Sequence, residues 1–362
     1  MSLRERGHDG PALLSYGFRP FFLFGSAYAG AAVLAWMLAL AGLFEIPTAL
    51  SPLDWHVHEM LYGYLAAVIA GFLLTAVPNW TGRLPIRGTP LLVLVLVWLA
   101  GRVAVSTSAV VGPLAAGLAD CAFLALFAAA VAREIVAGRN WRNLKVLAIL
   151  ALLLAGNVIF HVEAQAGAAA YGSRLGIAAA IALIALIGGR IVPSFTRNWL
   201  ARQGPGRLPA PFDRFDLAAM GIAGLALAAW VVAPDAAATG LALLAAAAAQ
   251  ATRLARWAGE RTFGERIVLI LHVGYAFVPL GFALLGAAVM SRASLGHTGR
   301  PVATTPGLEA VYAAAVGGAL LRVGAAAFGL PVLLHVSALA FAAAFLGFAL
   351  LYAPVLTRPR LA

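Results

Sequence analysis

The chain has 362 residues, of which 63% are hydrophobic and 11% are charged, and its mean hydropathy is +0.93. This composition excludes a soluble globular domain and indicates an all-α, polytopic membrane protein. The net charge of +11 comes from arginines in short segments between apolar runs, a pattern typical of membrane topology and not of nucleic-acid binding. Cys121 is the single cysteine, which excludes a disulfide and a thiolate metal site.

Eleven stretches have the length and apolarity of membrane helices. They lie at about 21–43, 55–78, 90–107, 112–137, 143–166, 171–193, 215–233, 236–257, 267–290, 308–327 and 331–356. We expect one transmembrane domain over residues 1–362, in which a short cytoplasmic leader at 1–20 precedes an uncleaved first span.

The second span carries the most unusual side chains. His56, His58 and Glu59 stand at the head of an otherwise apolar helix. Ionisable groups are costly inside a membrane and persist mostly where they bind something or face partners in the bundle. This span therefore predicts a candidate metal site.

The positive-inside rule predicts the orientation of the chain. With a cytoplasmic N-terminus, the basic loops fall on the inner side for the first eight spans. After the ninth span the alternation fails, because the loop 291–300 and the C-terminal tail would both place arginines outside. One additional crossing between about 275 and 291 would restore the rule, yet only about 25 residues separate Arg266 from Ser291, too few for two full helices. Either the rule fails here, or a re-entrant segment returns the chain, or a helix is missing.

Several motifs, in this order, resemble the NnrS family of bacterial membrane haem-copper proteins. They are GFRPFF (17–22), WHVHEM followed by GYLAAVIAGFLLTAVPNWTGR, LVWLAGR (96–102), WRNLKVLAILALLLAGNVIFH (141–161), GGRIVPSFTRNWL (188–200), LHVGYAF (271–277) and SLGHTGRP (294–301).

The resemblance implies a bacterial inner-membrane protein of about a dozen helices, linked to nitric oxide metabolism or resistance. The implied cofactors are copper and haem, which we expect to be b-type. The expected partners are membrane lipid, nitric oxide or another diatomic ligand, and an unknown electron donor. The family has a further helix that this sequence lacks between about 280 and 291, the same place where the charge pattern fails.

Histidines near the outer ends of the spans are the candidate metal ligands. His56, His58 and His161 lie at that depth, and His335 joins them if the missing crossing is made. Imidazole suits both iron and copper. Positions two apart on a helix point about 200° apart, so we expect His56 and His58 to have different roles. For each histidine alone, the alternative is an interhelical hydrogen bond.

Two further polar residues adjoin these histidines. Glu59 is the candidate catalytic residue, since it can orient an imidazole or accept protons. Its alternative role is to pair with an arginine in the bundle. Asn157 lies one turn from His161 and can fix a tautomer or bind a diatomic, although a plain interhelical hydrogen bond is the more common role.

A second group of residues is predicted near the cytoplasmic side. It can form a second redox site, or a haem site in which arginines meet the propionates. Its alternative is a satisfied core histidine beside ordinary basic anchors. The group consists of His272, Tyr275, Arg190, Arg197, His297 and Arg300.

The main functional hypothesis is a haem-copper membrane protein that reduces or detoxifies nitric oxide, or limits its damage. A metal or small-molecule transporter is the second hypothesis, and a sensor without turnover is the third. Inverted repeats would favour a transporter, but no persuasive internal repeat is present. Nitric oxide consumption would distinguish an enzyme from both.

Overall fold

The computed structural model describes residues 10–234, 237–276, 278, 305–328 and 331–359. Within these residues the regular structure is entirely helical. The main helices are α1 Phe18–Leu40, α2 Pro52–His58, a π-helix Glu59–Leu65, α3 Ala66–Thr81, α4 Thr89–Ser106, α5 Ser108–Val111, α6 Pro113–Ala137, α7 Leu144–Ala166, α8 Ala170–Leu200, α9 Arg214–Val232, α10 Ala237–Ala255, α11 Arg266–Ala276, α12 Pro306–Phe328 and α13 Pro331–Thr357.

The described helices confirm the all-α, multi-pass membrane architecture. Eight spans among them are long and apolar enough to cross a membrane, with α2, the π-helix and α3 forming one continuous span. Each of the eleven predicted spans contains a helix. For the predicted span 267–290, α11 covers only the first part, and most of the remainder lies outside the described residues.

The helix ends follow from local sequence. Ser51 caps α2, because its hydroxyl accepts a hydrogen bond from the Asp54 amide, and Pro52 occupies the first turn. At the other end of this span, Gly82 adopts a φ of +73°, a left-handed conformation that ends α3 without strain on a side chain. These signals determine where the span Pro52–Thr81 begins and ends.

Two compact units make up the chain, and each is described by itself. Unit 1 consists of Met1–Ser173 and Met290–Ala362, and unit 2 of Arg174–Val289. The span Pro52–Thr81 lies at the centre of unit 1, since 83% of its most apolar window is buried, a larger share than in any other candidate span. The side chains on this span are therefore enclosed by other helices.

Helices α1 and α13 of unit 1 pack antiparallel. Arg19, at the start of α1, donates a hydrogen bond of 3.0 Å to the carbonyl of Leu356, near the end of α13. Further along α1, Val33 packs against Ala338 and Ala342, which lie near the start of α13. The C-terminal tail therefore lies at the same end of unit 1 as the start of α1.

Unit 2 encloses a buried cation. Arg253 on α10 donates from Nε to Asp216 on α9 at 2.8 Å and from Nη1 to the Ala185 carbonyl at 3.0 Å. Asp213 caps α9 outside the apolar part of the helix, and Arg256 lowers the pKa of Asp213 to about 2 through a direct hydrogen bond. A buried guanidinium is tolerated here because a carboxylate and a carbonyl surround it.

Candidate metal centre

A π-helical segment places two polar side chains at the centre of unit 1. His58 ends α2, and the next seven residues, Glu59–Leu65, form the wider π-helix before α3 begins. Such segments inside α-helices are frequent at functional sites. His58 and Glu59 are both fully buried.

Oxygen atoms surround both ring nitrogens of His58. Nδ1 lies 2.9 Å from Oε1 of Glu59. Nε2 lies 3.1 Å from Oδ2 of Asp120 and 3.0 Å from Oδ1 of Asn157. Because carboxylate and amide oxygens accept hydrogen bonds, acceptors face both ring nitrogens, and a neutral His58 can donate to those on one side only.

Arg102 balances part of the negative charge. Its Nη1 donates to both oxygens of Glu59, each at 2.7 Å, and its Nη2 pairs with Oδ1 of Asp120. The Tyr28 hydroxyl also donates to Glu59. One guanidinium therefore faces two buried carboxylates, so the cluster carries one net negative charge when its imidazoles are neutral.

His161 completes the cluster. Its Nε2 lies 3.0 Å from Oδ2 of Asp120, and its ring centroid is 4.8 Å from that of His58. Asn157, one turn earlier on α7, donates from Nδ2 to the same Asp120 oxygen at 2.7 Å. Helices α2, α6 and α7 thus converge on one carboxylate.

A cavity adjoins the open side of His161. It has a volume of about 340 Å³, and its lining includes His161, Ser108 and Gln165 together with the loop residues Ala49 and Leu50. The His161 side chain is partly exposed there, whereas His58 and Asp120 are buried. A small molecule can therefore reach the cluster from the His161 side.

The arrangement requires a positive charge between its acceptor atoms. His58 cannot donate from both nitrogens while neutral, and an uncompensated negative charge is costly inside a membrane protein. A proton on one of these groups, or a metal ion between the ligand atoms, would supply that charge. Two imidazole nitrogens and one carboxylate oxygen, from His58, His161 and Asp120, lie within 4.8 Å of one another. The Asp120 oxygen is 3.0–3.1 Å from each nitrogen, close to the spacing of donor atoms that share an ion at about 2 Å.

Glycines allow the helices to approach at this cluster. A Cβ atom on Gly63 would lie 2.7 Å from Nη1 of Arg102. One on Gly101 would lie 3.1 Å from the Cα atom of Asp120. A side chain at either position would press on the Arg102 and Asp120 pair.

The structure brings together four residues that the sequence analysis singled out, namely His58, Glu59, Asn157 and His161. His56 has different surroundings, because its ring stacks on Trp36 with a centroid distance of 3.8 Å. His56 and His58 thus have different neighbours, and their different roles remain a prediction.

His335 lies near the start of α13, and the antiparallel packing of α1 and α13 brings it to the end of unit 1 that holds His56. Its side chain is exposed, and it is not among the ligand atoms gathered around Asp120.

The second predicted group lies in unit 2. Nε2 of His272 donates to Oγ1 of Thr196 at 2.8 Å, since that hydroxyl itself donates to the Val192 carbonyl. A Cβ atom on Gly259 would lie 2.7 Å from Nδ1 of His272, so this loop covers the remaining nitrogen. The imidazole of His272 is therefore enclosed on both sides.

The other members of this second group have separate partners. Tyr275 accepts a hydrogen bond from Arg253 at 3.1 Å and donates one to Gln250 at 2.7 Å. Arg197 donates to the Pro209 carbonyl, and Arg190 lies on the same helix, α8. His297 and Arg300 lie outside the described residues.

Sequence reasoning missed Asp120 as a candidate ligand and Arg102 as the partner of Asp120. Asp120 is an acidic residue inside the apolar span α6, which is the same signal that pointed to Glu59. Tyr28 was also missed, and an aromatic hydroxyl in a membrane helix gives no comparable signal.

The family model described as "NnrS protein" matches residues 12–289 and 287–360. The two matched segments meet at the point where the sequence analysis located a missing helix, which lies outside the described residues. No curated protein and no solved structure matches the chain. Because the family model covers nearly all of its length, the chain belongs to the NnrS family.

Proposed function

We propose that this chain is a copper-binding protein of the bacterial inner membrane that handles nitric oxide or a similar diatomic molecule, with its N-terminus in the cytoplasm. The observation that carries the proposal is the negatively charged cluster in which His58, His161 and Asp120 direct their ligand atoms at one another. The orientation follows from the basic loops of the sequence.

The donor set suits a single metal ion better than a porphyrin. Both nitrogens of His58 are enclosed by Glu59, Asp120 and Asn157, so a macrocycle on either would displace these side chains. Two imidazoles and one carboxylate suit copper or non-haem iron. Family membership favours copper between these two metals.

Copper bound by these residues would supply a redox-active ion to which a diatomic molecule can bind. Glu59 accepts the Nδ1 hydrogen of His58 and so leaves the Nε2 lone pair for the ion. Asn157 fixes the Asp120 carboxylate by donating to it. Arg102 neutralises one of the two carboxylates, so the site keeps the single negative charge that favours a cation.

The surroundings also suit a small ligand. The cavity beside His161 is large enough for a diatomic molecule and ends at the cluster. Tyr28 and Glu59 form a hydrogen-bonded pair on the opposite side of His58, where a proton can be held at the Tyr28 oxygen.

Metal analysis of the purified protein tests the proposal. After expression with copper, we expect about one copper per chain and a Cu(II) electron paramagnetic resonance signal with nitrogen coupling. His58→Ala, His161→Ala and Asp120→Asn should each lose most of this copper, because each removes one donor from a three-donor site. His8→Ala, which replaces a histidine of the predicted leader 1–20, is the control and should retain the copper.

Three results would overturn the assignment. Copper retained in all three variants would place it elsewhere. Iron in its place would exclude a copper site. Metal-free wild type would mean that a proton within the cluster, and not a metal ion, balances the charge. Nitric oxide uptake with an artificial electron donor, measured on the same preparations, separates turnover from binding.

The haem implied by the family likeness can be detected separately from copper, by its Soret absorption band. Neither ring nitrogen of His272 is open to a haem iron, because Nε2 is hydrogen-bonded to Thr196 and the loop at Gly259 covers Nδ1. A Soret band on the purified protein should therefore be kept in both His272→Ala and His58→Ala, and its loss in His272→Ala would contradict this.

A further inference from the structure

A second cavity opens at the end of unit 1 where α3 and α6 end and α4 begins. It lies between the end of α3, the start of α4 and the last turns of α6, and its volume is about 620 Å³. Its lining includes Arg83, Arg87 and Arg133 together with Glu134. This cavity is remote in sequence from the ligands of the metal cluster, and none of its lining residues belongs to that cluster.

The cavity carries excess positive charge. Glu134 is its one carboxylate, and it pairs with Arg83 at 2.5 Å and with Arg133 at 2.8 Å. Arg87 forms no ion pair within the part of the chain that the structure describes. Three guanidinium groups therefore face one carboxylate, which leaves two positive charges for an anion.

Apolar side chains at the same end place the cavity at the membrane boundary. Leu84 in the loop is 57% exposed, and Leu92 in the second turn of α4 is 38% exposed. Trp141, which follows α6, is 57% exposed, and tryptophan is typical of the lipid headgroup level. A ligand here therefore has charged groups on one side and exposed apolar surface on the other.

We propose that this cavity binds the phosphate group of an anionic phospholipid, with Arg87 as the principal contact and the acyl chains along the exposed leucines. Guanidinium groups bind phosphate oxygens through paired hydrogen bonds. The exposed apolar side chains favour a lipid over free phosphate, because they place the cavity beside the bilayer, where one lipid molecule supplies both the phosphate group and the acyl chains. The structure thus assigns an anionic lipid site to the arginine-rich end of unit 1.

Arg87→Gln tests the site, because Arg87 forms no ion pair with any described residue whose loss would disturb the fold. Lipid-stripped holoprotein in neutral detergent would be titrated with phosphatidylglycerol and followed by native mass spectrometry. Wild type should bind one lipid saturably, and Arg87→Gln should bind it about fivefold more weakly, the contribution of one basic side chain beside an anionic lipid.

Arg142→Gln is the matched control, since Arg142 is exposed at the same end of the unit but does not line the cavity. It should bind phosphatidylglycerol as wild type does, and phosphatidylcholine should bind more weakly to all three proteins. Equal losses in both variants would mean that charge alone attracts the lipid, and would overturn the site. Inorganic phosphate that occupies the cavity and blocks phosphatidylglycerol at millimolar concentration would overturn the choice of a lipid.

Discussion

Glu59 contacts both His58 and Arg102, but it is not one of the three candidate ligands. Its Oε1 lies 2.9 Å from Nδ1 of His58, and its carboxylate accepts two hydrogen bonds from Arg102. A carboxylate behind a histidine ligand sets the tautomer and raises the basicity of the ring. The sequence analysis considered proton transfer, support of an imidazole and pairing with an arginine for Glu59. The contacts in the structure are those of the last two roles.

We therefore predict that Glu59→Gln weakens copper binding without abolishing it. The expected loss of affinity is about 10-fold to 100-fold, the usual effect of removing a carboxylate behind a metal ligand. Competition with a copper chelator measures it. His58→Ala, measured in the same way, should lose the copper altogether. A loss of copper affinity in Glu59→Gln as large as that in His58→Ala would contradict a supporting role for Glu59.

At the residue scale, the sequence indicated which side chains matter but not how they pair. His58, Glu59 and His161 were identifiable because ionisable groups inside apolar spans need a reason to be there. The pairing of Arg102 with Glu59 and Asp120 joins three helices. No local pattern encodes such a contact, because helix periodicity gives the face of a residue and not the neighbour that it meets.

At the scale of helices, the π-helix after His58 was not predictable. The run Glu59–Leu65 contains ordinary helix formers and one glycine, and its apolar pattern is equally compatible with an α-helix. Its wider turn is part of the continuous span Pro52–Thr81, so the span was predicted correctly while its internal geometry was not.

Close approach of α4 and α6 depends on Gly101. A Cβ atom there would lie 3.1 Å from the Cα atom and 3.2 Å from Oδ1 of Asp120, and a backbone atom cannot move aside as a flexible side chain can. We predict that Gly101→Ala lowers the free energy of unfolding by about 1–3 kcal/mol through overpacking, and weakens copper binding by displacing Asp120. Thermal unfolding and copper titration measure the two effects.

Gly224→Ala in α9 is the control for this prediction. A Cβ atom on Gly224 would meet no atom within 4 Å, so the substitution should stabilise the helix by up to about 1 kcal/mol. Equal shifts of the melting temperature in the two variants would show that Gly101 is not a packing contact.

At the scale of the whole molecule, the packing of α13 on α1 determines at which end of unit 1 the arginines of the C-terminal tail lie. The tail arginines were expected outside unless one further crossing was made. The hydrogen bond from Arg19 to the Leu356 carbonyl places the tail at the arginine-rich end of unit 1, as the positive-inside rule requires. How residues 279–304 connect α11 to α12 lies outside the described residues. Sequence alone located the break in the charge pattern, but the direction of α13 needed a contact between residues more than 300 positions apart.

This arrangement predicts which side of the membrane each end of unit 1 faces. The Gly88 amide donates to the Leu14 carbonyl at 2.8 Å, so the loop before α4 lies beside the segment that leads into α1. Gln165, at the end of α7, lines the cavity next to Ala49, which follows α1. Leu84 and Thr357 should therefore share one side of the membrane, and Gln165 should lie on the other.

Cysteine labelling tests this topology. In a Cys121→Ala background, Leu84→Cys, Thr357→Cys and Gln165→Cys each introduce one thiol at an exposed position. A membrane-impermeant maleimide should label the first two in inverted vesicles, whose outer surface is cytoplasmic, and the third in right-side-out vesicles. Labelling of Thr357→Cys together with Gln165→Cys would mean that α13 runs parallel to α1. In that case the chain would cross the membrane an odd number of times, and His335 would lie at the opposite end from the metal cluster.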